Sequence, residues 1–192
     1  MNVTVLGVDS LGRKLARLCV QGGNEVSIHA DDPAAAMDAI DAIERRLGDG
    51  TLRGTALDAT TDLSTAVSNA DLVVITDTRE PARRFAVVED VVDQQTVLAT
   101  SQPSLSVAAV AETLTHPERV VGLRLDRGDT GVVEVVVTED TVPATLDRAG
   151  SFVEAVGATH QFAPDTPGPP ATRLAAPQER EPTRHTAAAT AV

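Results

Sequence analysis

The chain has 192 residues, enough for one domain with a real core, or for one domain plus a tail. Its net charge of -12 and pI near 4.6 exclude nucleic acid and anionic lipid as natural partners, because an acidic surface repels both. Aromatic residues are 2% of the chain, so a core must be built from Val, Leu, Ile and Ala, and a single cysteine, Cys19, excludes a disulfide framework or a cysteine-based zinc site.

Asn2 to Leu6 is a short apolar, β-branched run that predicts a buried parallel strand. Apolar residues at helical spacing follow from Leu11 to Val20, and Gly22-Gly23 stops that helix. Glu25 to His29 reads as a second strand. Asp32 as N-cap and Pro33 in the first turn start a helix that runs to about Leu47. Residues 48 to 62, with Gly48, Gly50 and Gly54, read as loop, and Asp62 to Asn69 as a short helix. Asp71 to Ile75 is a third strand and Pro81 to Val92 a helix. Thr96 to Thr100 is a fourth strand, and Ser106 caps a helix to Leu114. Val120 to Leu125 and Val132 to Thr138 are further strands. A helix from Pro143 to Val156, ended by Gly157, and a short strand from Ala158 to Ala163 complete the series.

Strands alternating with helices predict an α/β fold: a Rossmann-type, doubly wound, mainly parallel sheet in a single domain over residues 1–163. From residue 164 the texture changes. Six of the eleven prolines lie in 164–192 with few large apolar groups, so this segment is expected to be a disordered tail. The chain shows no signal peptide and no apolar run of about 20 residues, which fits a cytoplasmic location without membrane attachment. Lys14 is the only lysine among sixteen basic residues. The acidity reads either as ordinary solubility or as halophilic adaptation to a salt-rich cytoplasm, and composition leaves both open.

The chemistry begins at the first turn, Gly7-Val8-Asp9-Ser10-Leu11-Gly12. A dinucleotide-binding turn reads G-x-G-x-x-G, where the second glycine lets the pyrophosphate approach the backbone. Here Gly7 and Gly12 hold the first and third places and Asp9 the second. Its carboxylate is a like charge beside phosphate, and it can cap the helix itself. The turn is therefore expected either to bind dinucleotide weakly or to preserve only the fold. At the end of the second strand, where an acid usually meets the ribose hydroxyls, stands Ala30; Asp31, one place on, is the candidate.

Several runs in order then resemble the NAD-binding domain of 3-hydroxyacyl-CoA dehydrogenases. They are V-T-V-L-G, V-S-I-H-A-D-D-P, T-T-D-L with A-D-L-V-V-I, V-L-A-T-S-Q-P-S-L-S-V, P-E-R-V-V-G-L and V-V-E-V-V. The resemblance covers roughly residues 1–163. It implies NAD as cofactor, an acyl-CoA as substrate and hydride transfer from a 3-hydroxyl, the chemistry of fatty acid oxidation. It also implies Glu80, with Arg83 or Arg84, near the nicotinamide side, and Ser101 in the run that meets substrate and cofactor.

The departures from that family lie at its catalytic positions. Arg124 stands where the resemblance places the catalytic histidine, and arginine does not give up its proton at working pH. Glu134 matches the glutamate that orients that histidine, and is expected to pair with Arg124 instead. Pro103 replaces a serine, with Ser104 one position away. The family's long helical hairpin is reduced to one helix, and its C-terminal helical domain has no counterpart in the sequence. These features imply a stand-alone domain with impaired or lost catalysis, a pseudoenzyme. Two alternatives remain: a regulatory or interaction module whose protein partner supplies a helical domain, and an oxidoreductase acting on another small substrate with Glu134 as base. His29, His116, His160 and His185 lack metal-ligand spacing, and no metal site is expected. The pairs Glu89-Asp90 and Glu139-Asp140 read as solvated faces.

Overall fold

Short Val-rich segments, too apolar to face water on either side, assemble into one sheet. The computed structural model describes residues 1–47, 57–76, 80–125 and 131–165. Its elements in chain order are β1 (Asn2–Leu6), α1 (Ser10–Gln21), β2 (Glu25–His29), α2 (Pro33–Leu47), β3 (Leu57–Thr60), α3 (Leu63–Val67), β4 (Leu72–Ile75), α4 (Pro81–Glu89), β5 (Val97–Thr100), α5 (Val107–Ala111), β6 (Val120–Leu125), β7 (Val132–Val137), α6 (Pro143–Ala155) and β8 (Thr159–Pro164).

The eight strands lie in the order β3-β2-β1-β4-β5-β6-β7-β8. Neighbours are parallel from β3 through β6. β7 runs antiparallel to β6, and β8 runs parallel to β7. This is the expected Rossmann-type α/β sheet. The chain leaves β1 to build outward through β2 and β3, then returns to build the other way from β4. The crevice between β1 and β4 is therefore the topological switch point, where such sheets bind ligands.

The period-2 alternation of a strand sends side chains to two cores. Val3 and Val5 of β1 pack with Leu15, Cys19, Ile28 and Val153 on the face covered by α1, α2 and α6. Leu6 joins Val73, Ile75, Phe85, Leu98 and Val136 on the face covered by α3, α4 and α5. Cys19 is fully buried, and burial pushes its thiol up to about 12, so it is a small core residue with no thiolate chemistry.

Two local expectations need correction. The glycine-bearing stretch 48–62 holds a strand, β3, in its second half. Its sequence Leu-Asp-Ala-Thr has little strand character of its own, and its pairing with Val26–His29 of β2 makes it the sheet edge. Residues 48–56 lie outside the described residues. Glu89 is not on a solvated face: its side chain is 9% exposed, and it accepts hydrogen bonds from Thr115 N and His116 N, both at 2.9 Å, while pairing with Arg119 at 3.3 Å.

The described fold continues past residue 163. β8 ends at Pro164, and Asp165 is tied down by two hydrogen bonds to its Oδ2, from Ser106 Oγ at 2.8 Å and Ala108 N at 2.9 Å. The rest of the expected tail, 166–192, lies outside the described residues. Among the described residues no helix is long and apolar enough to cross a membrane.

Candidate dinucleotide cleft

The turn between β1 and α1 is as tight as its glycines allow. Gly7 adopts φ +122°, and a Cβ placed on Gly12 would sit 2.2 Å from the Gly7 carbonyl oxygen. Only glycine fits either place without moving the strand away from the helix. Asp9 caps α1: its backbone is extended and its Oδ1 accepts from Gly12 N at 2.7 Å. The carboxylate thus takes an N–H that an open turn offers to phosphate.

A cleft of about 270 Å³ opens beside this turn, lined in part by Gly7, Asp9, His29, Asp31, Thr76 and Arg84. Gly7, His29 and Thr76 close the C-terminal ends of β1, β2 and β4, so the cleft sits on the switch point. Thr76 fastens two of these strands by donating its hydroxyl to Leu6 O at 3.2 Å. Gln102, just after β5, donates to Thr76 O at 3.1 Å and ties in a third.

Arg84 of α4 reaches across the cleft to His29 of β2, with Nη2 3.1 Å from Nδ1. Arginine has no acceptor, so Nδ1 must present its lone pair and His29 is neutral here. Burial first, and then the Arg84 charge, hold His29 below its ordinary pKa. The Nε of Arg84 is buried and has no hydrogen-bond partner.

The structure brings the Gly7–Gly12 turn and Asp31 together. Ser10 and Leu11 begin α1 behind the turn. Ser101 follows β5 and is 2% exposed, with its Oγ buried and unpartnered. Glu80 is not part of the cleft lining: its exposed side chain pairs with Arg83 at 3.1 Å on the surface. Of the two arginines expected near the nicotinamide side, Arg84 enters the cleft, and it does so beside β2. Sequence reasoning missed His29 and Thr76 as cleft residues, and Gln102 as the group that ties β5 to Thr76. The signal for His29 and Thr76 was their position directly at or after the last residue of a strand.

Away from the cleft, Arg124 of β6 and Glu134 of β7 are cross-strand partners. Arg124 Nη1 lies 3.4 Å from Glu134 Oε2, as expected, and the Arg124 side chain is only 4% exposed. A second acid joins them: Asp165 Oδ1 is 3.5 Å from Arg124 Nη2, an ionic contact without hydrogen-bond geometry. One buried guanidinium thus holds two carboxylates. No described group of His, Cys, Asp and Glu side chains is arranged to hold a metal ion.

Residues 2–161 match the family "3-hydroxyacyl-CoA dehydrogenase, NAD binding domain". The chain belongs to this family. The family's cofactor is NAD, and the switch-point cleft is where a Rossmann-type domain takes it. Among curated relatives, the chain is 24% identical over 174 residues to 5-formyl-3-hydroxy-2-methylpyridine 4-carboxylate 5-dehydrogenase of Mesorhizobium japonicum. That match covers 81% of this chain and 55% of the relative. It is 31% identical over 135 residues to 3-hydroxyadipyl-CoA dehydrogenase of Escherichia coli, covering 63% of this chain and 28% of that protein. The chain therefore spans about half or less of the curated relatives it matches. The solved 3-hydroxybutyryl-CoA dehydrogenase of Escherichia coli superposes with a TM-score of 0.79 at 26% identity, covering 88% of this chain and 39% of that one.

The NAD-binding domain described here suits a nucleotide at this cleft on its own geometry. The Gly7–Gly12 cradle excludes a Cβ, and Arg84, which lines the cleft, carries a buried Nε with no hydrogen-bond partner among the described residues. Asp31 and Arg84 line the cleft together with Asp9.

Proposed function

We propose that this domain binds NAD(H) weakly through the cleft around Gly7, Asp31 and Arg84, and that it does not perform the family's proton transfer. When bound, the nicotinamide supplies hydride donor or acceptor chemistry. The protein's part is to bind the adenosine half, offset charge at the diphosphate through Arg84, and present polar groups near Ser101.

The observation that carries the reading is the state of Arg124. It occupies the position the resemblance gives to a histidine, and it is buried between Glu134 and Asp165 at 3.4 and 3.5 Å. A guanidinium in this position neither takes nor gives a proton near neutral pH. Glu134 is committed to that pair, so it orients no base. Pro103, exposed after β5, offers neither hydroxyl nor N–H to a substrate.

The test pairs calorimetric titration of NAD and NADH with an acetoacetyl-CoA reduction assay on the same protein. Measurable NADH binding with no turnover is the expected result. Turnover at ordinary dehydrogenase rates would overturn it. A second reading, a module that keeps the fold without the dinucleotide, is favoured by Asp9 occupying Gly12 N–H. It is the better one if neither NAD nor NADH binds.

A further inference from the structure

A second pocket, of about 420 Å³, lies on the other side of the Val8–Asp9 turn, between α1 and α2. Arg13, Lys14 and Arg17 of α1 and Arg46 of α2 line it, with Ser10, and with Val8 and Asp9 where it borders the cleft. Four of the sixteen basic residues of a chain with net charge -12 thus meet in one pocket. Among the described residues, none of the four forms an ion pair, whereas Arg83, Arg119 and Arg124 all do.

The fold does not require this gathering. α1 buries Leu15, Ala16, Cys19 and Val20, and α2 buries Ala36, Ala39 and Ile43. Any solvated side chains would serve on the facing surface. Instead, like charges are held close together, which costs repulsion unless an anion enters. Two of the arginines are also steadied. Arg13 Nε donates to Val8 O at 2.7 Å, and Arg17 Nη1 donates to Gln21 Oε1 at 2.9 Å. Guanidinium groups so held match phosphate oxygens in a bidentate manner.

We propose that this pocket between α1 and α2 is a phosphate-binding site, separate from the dinucleotide cleft. Its ligand class is a compound carrying a phosphomonoester or diphosphate group. The pocket shares Val8 and Asp9 with the cleft. Its phosphate can therefore belong to a nucleotide that extends from the cleft, or to a separate small molecule. Only the first source rests on the nucleotide reading above.

Calorimetry on the full chain at about 50 mM salt, where exposed charges are weakly screened, separates these cases. The probes are inorganic pyrophosphate, NAD against NADP, and CoA against dephospho-CoA. The site predicts that pyrophosphate binds and that Arg17→Ala/Arg46→Ala weakens it about tenfold or more. Far-UV circular dichroism and NAD affinity should stay as in the unaltered protein, and Arg45→Ala, outside the pocket, should change nothing. If NADP or CoA also binds more tightly than its partner lacking the phosphomonoester, and the double variant removes the difference, the phosphate belongs to a nucleotide. Pyrophosphate binding without either preference assigns it to a separate small molecule. The proposal is overturned if pyrophosphate does not bind, or if it binds equally well to the double variant. Failure of NAD to bind, with pyrophosphate still lost in the double variant, removes the proposed function and leaves this site standing.

Discussion

Arg124 and Glu134 face each other across the antiparallel β6–β7 pair, 3.4 Å apart, and Asp165 closes on the same guanidinium from the end of β8. This ties Asp165, just past the end of β8, to β6. It makes the site a structural clasp. Arg124→Met should cost about 3 kcal/mol, because it strands two carboxylates, one of them 7% exposed. Urea denaturation measures this. Adding Glu134→Gln and Asp165→Asn to Arg124→Met should recover part of the loss. If the single variant is as stable as the unaltered protein, the clasp has no energetic role.

Asp9→Gly removes a carboxylate beside the diphosphate position and a Cβ from the turn. Like charges about 4 Å apart repel by about 1 kcal/mol in water, so NAD affinity should rise about fivefold. The helix loses a cap hydrogen bond, but glycine is itself a tolerated N-cap, so stability should fall by only a few tenths of a kcal/mol. An unchanged NAD dissociation constant would show that Asp9 does not limit binding.

Glu89 knits three elements: its carboxylate ends α4, receives Thr115 and His116 N–H, and neutralises Arg119, whose Nη1 also reaches Asp93 O at 2.7 Å. Burial alone would raise its pKa, but these two N–H donors and Arg119 outweigh burial and hold it below the ordinary glutamate value. A lowered acid contributes stability above its unfolded pKa and loses it as pH falls through the folded one. The Glu89 contribution should therefore be complete at pH 7 and be lost progressively as pH falls below the unfolded glutamate value of about 4.3 toward the lower folded one. Glu89→Ala leaves Arg119 buried and unpaired, and should cost about 3–5 kcal/mol at pH 7. Parallel denaturation series at pH 7 and pH 3.5 check this: the gap between variant and parent should narrow in acid.

His29 is held neutral at the cleft by burial and Arg84. Its pKa is lowered on folding, so the unfolded chain binds the proton more readily. Stability from this group is complete above about pH 6.5 and falls as pH drops through that range toward the folded value. Following the His29 imidazole signal by NMR should show titration below the value of a model histidine. Arg84→Gln should move the titration upward, and an unmoved midpoint would exclude Arg84 as a cause.

Much of this domain was determined by the order of residues along the chain. Buried parallel strands declare themselves as Val-rich runs, and caps such as Asp9 and Ser106 act within three residues, so both are local signals. The pairing of Arg124 with Glu134 was legible because β6 and β7 are consecutive antiparallel strands. The edge strand β3 was not, since Leu57–Thr60 becomes a strand only by pairing with β2. Nor was Glu89, whose partners lie 26 to 30 residues away, or Asp165, which meets Arg124 only after β8 has joined the sheet. The cleft itself is tertiary: Arg84 lies 55 residues from His29, and only the reversal of strand order at β1 and β4 brings them within 3.1 Å. Local chemistry chose the strands, helices and caps. Contacts across the sheet chose which charges are buried together.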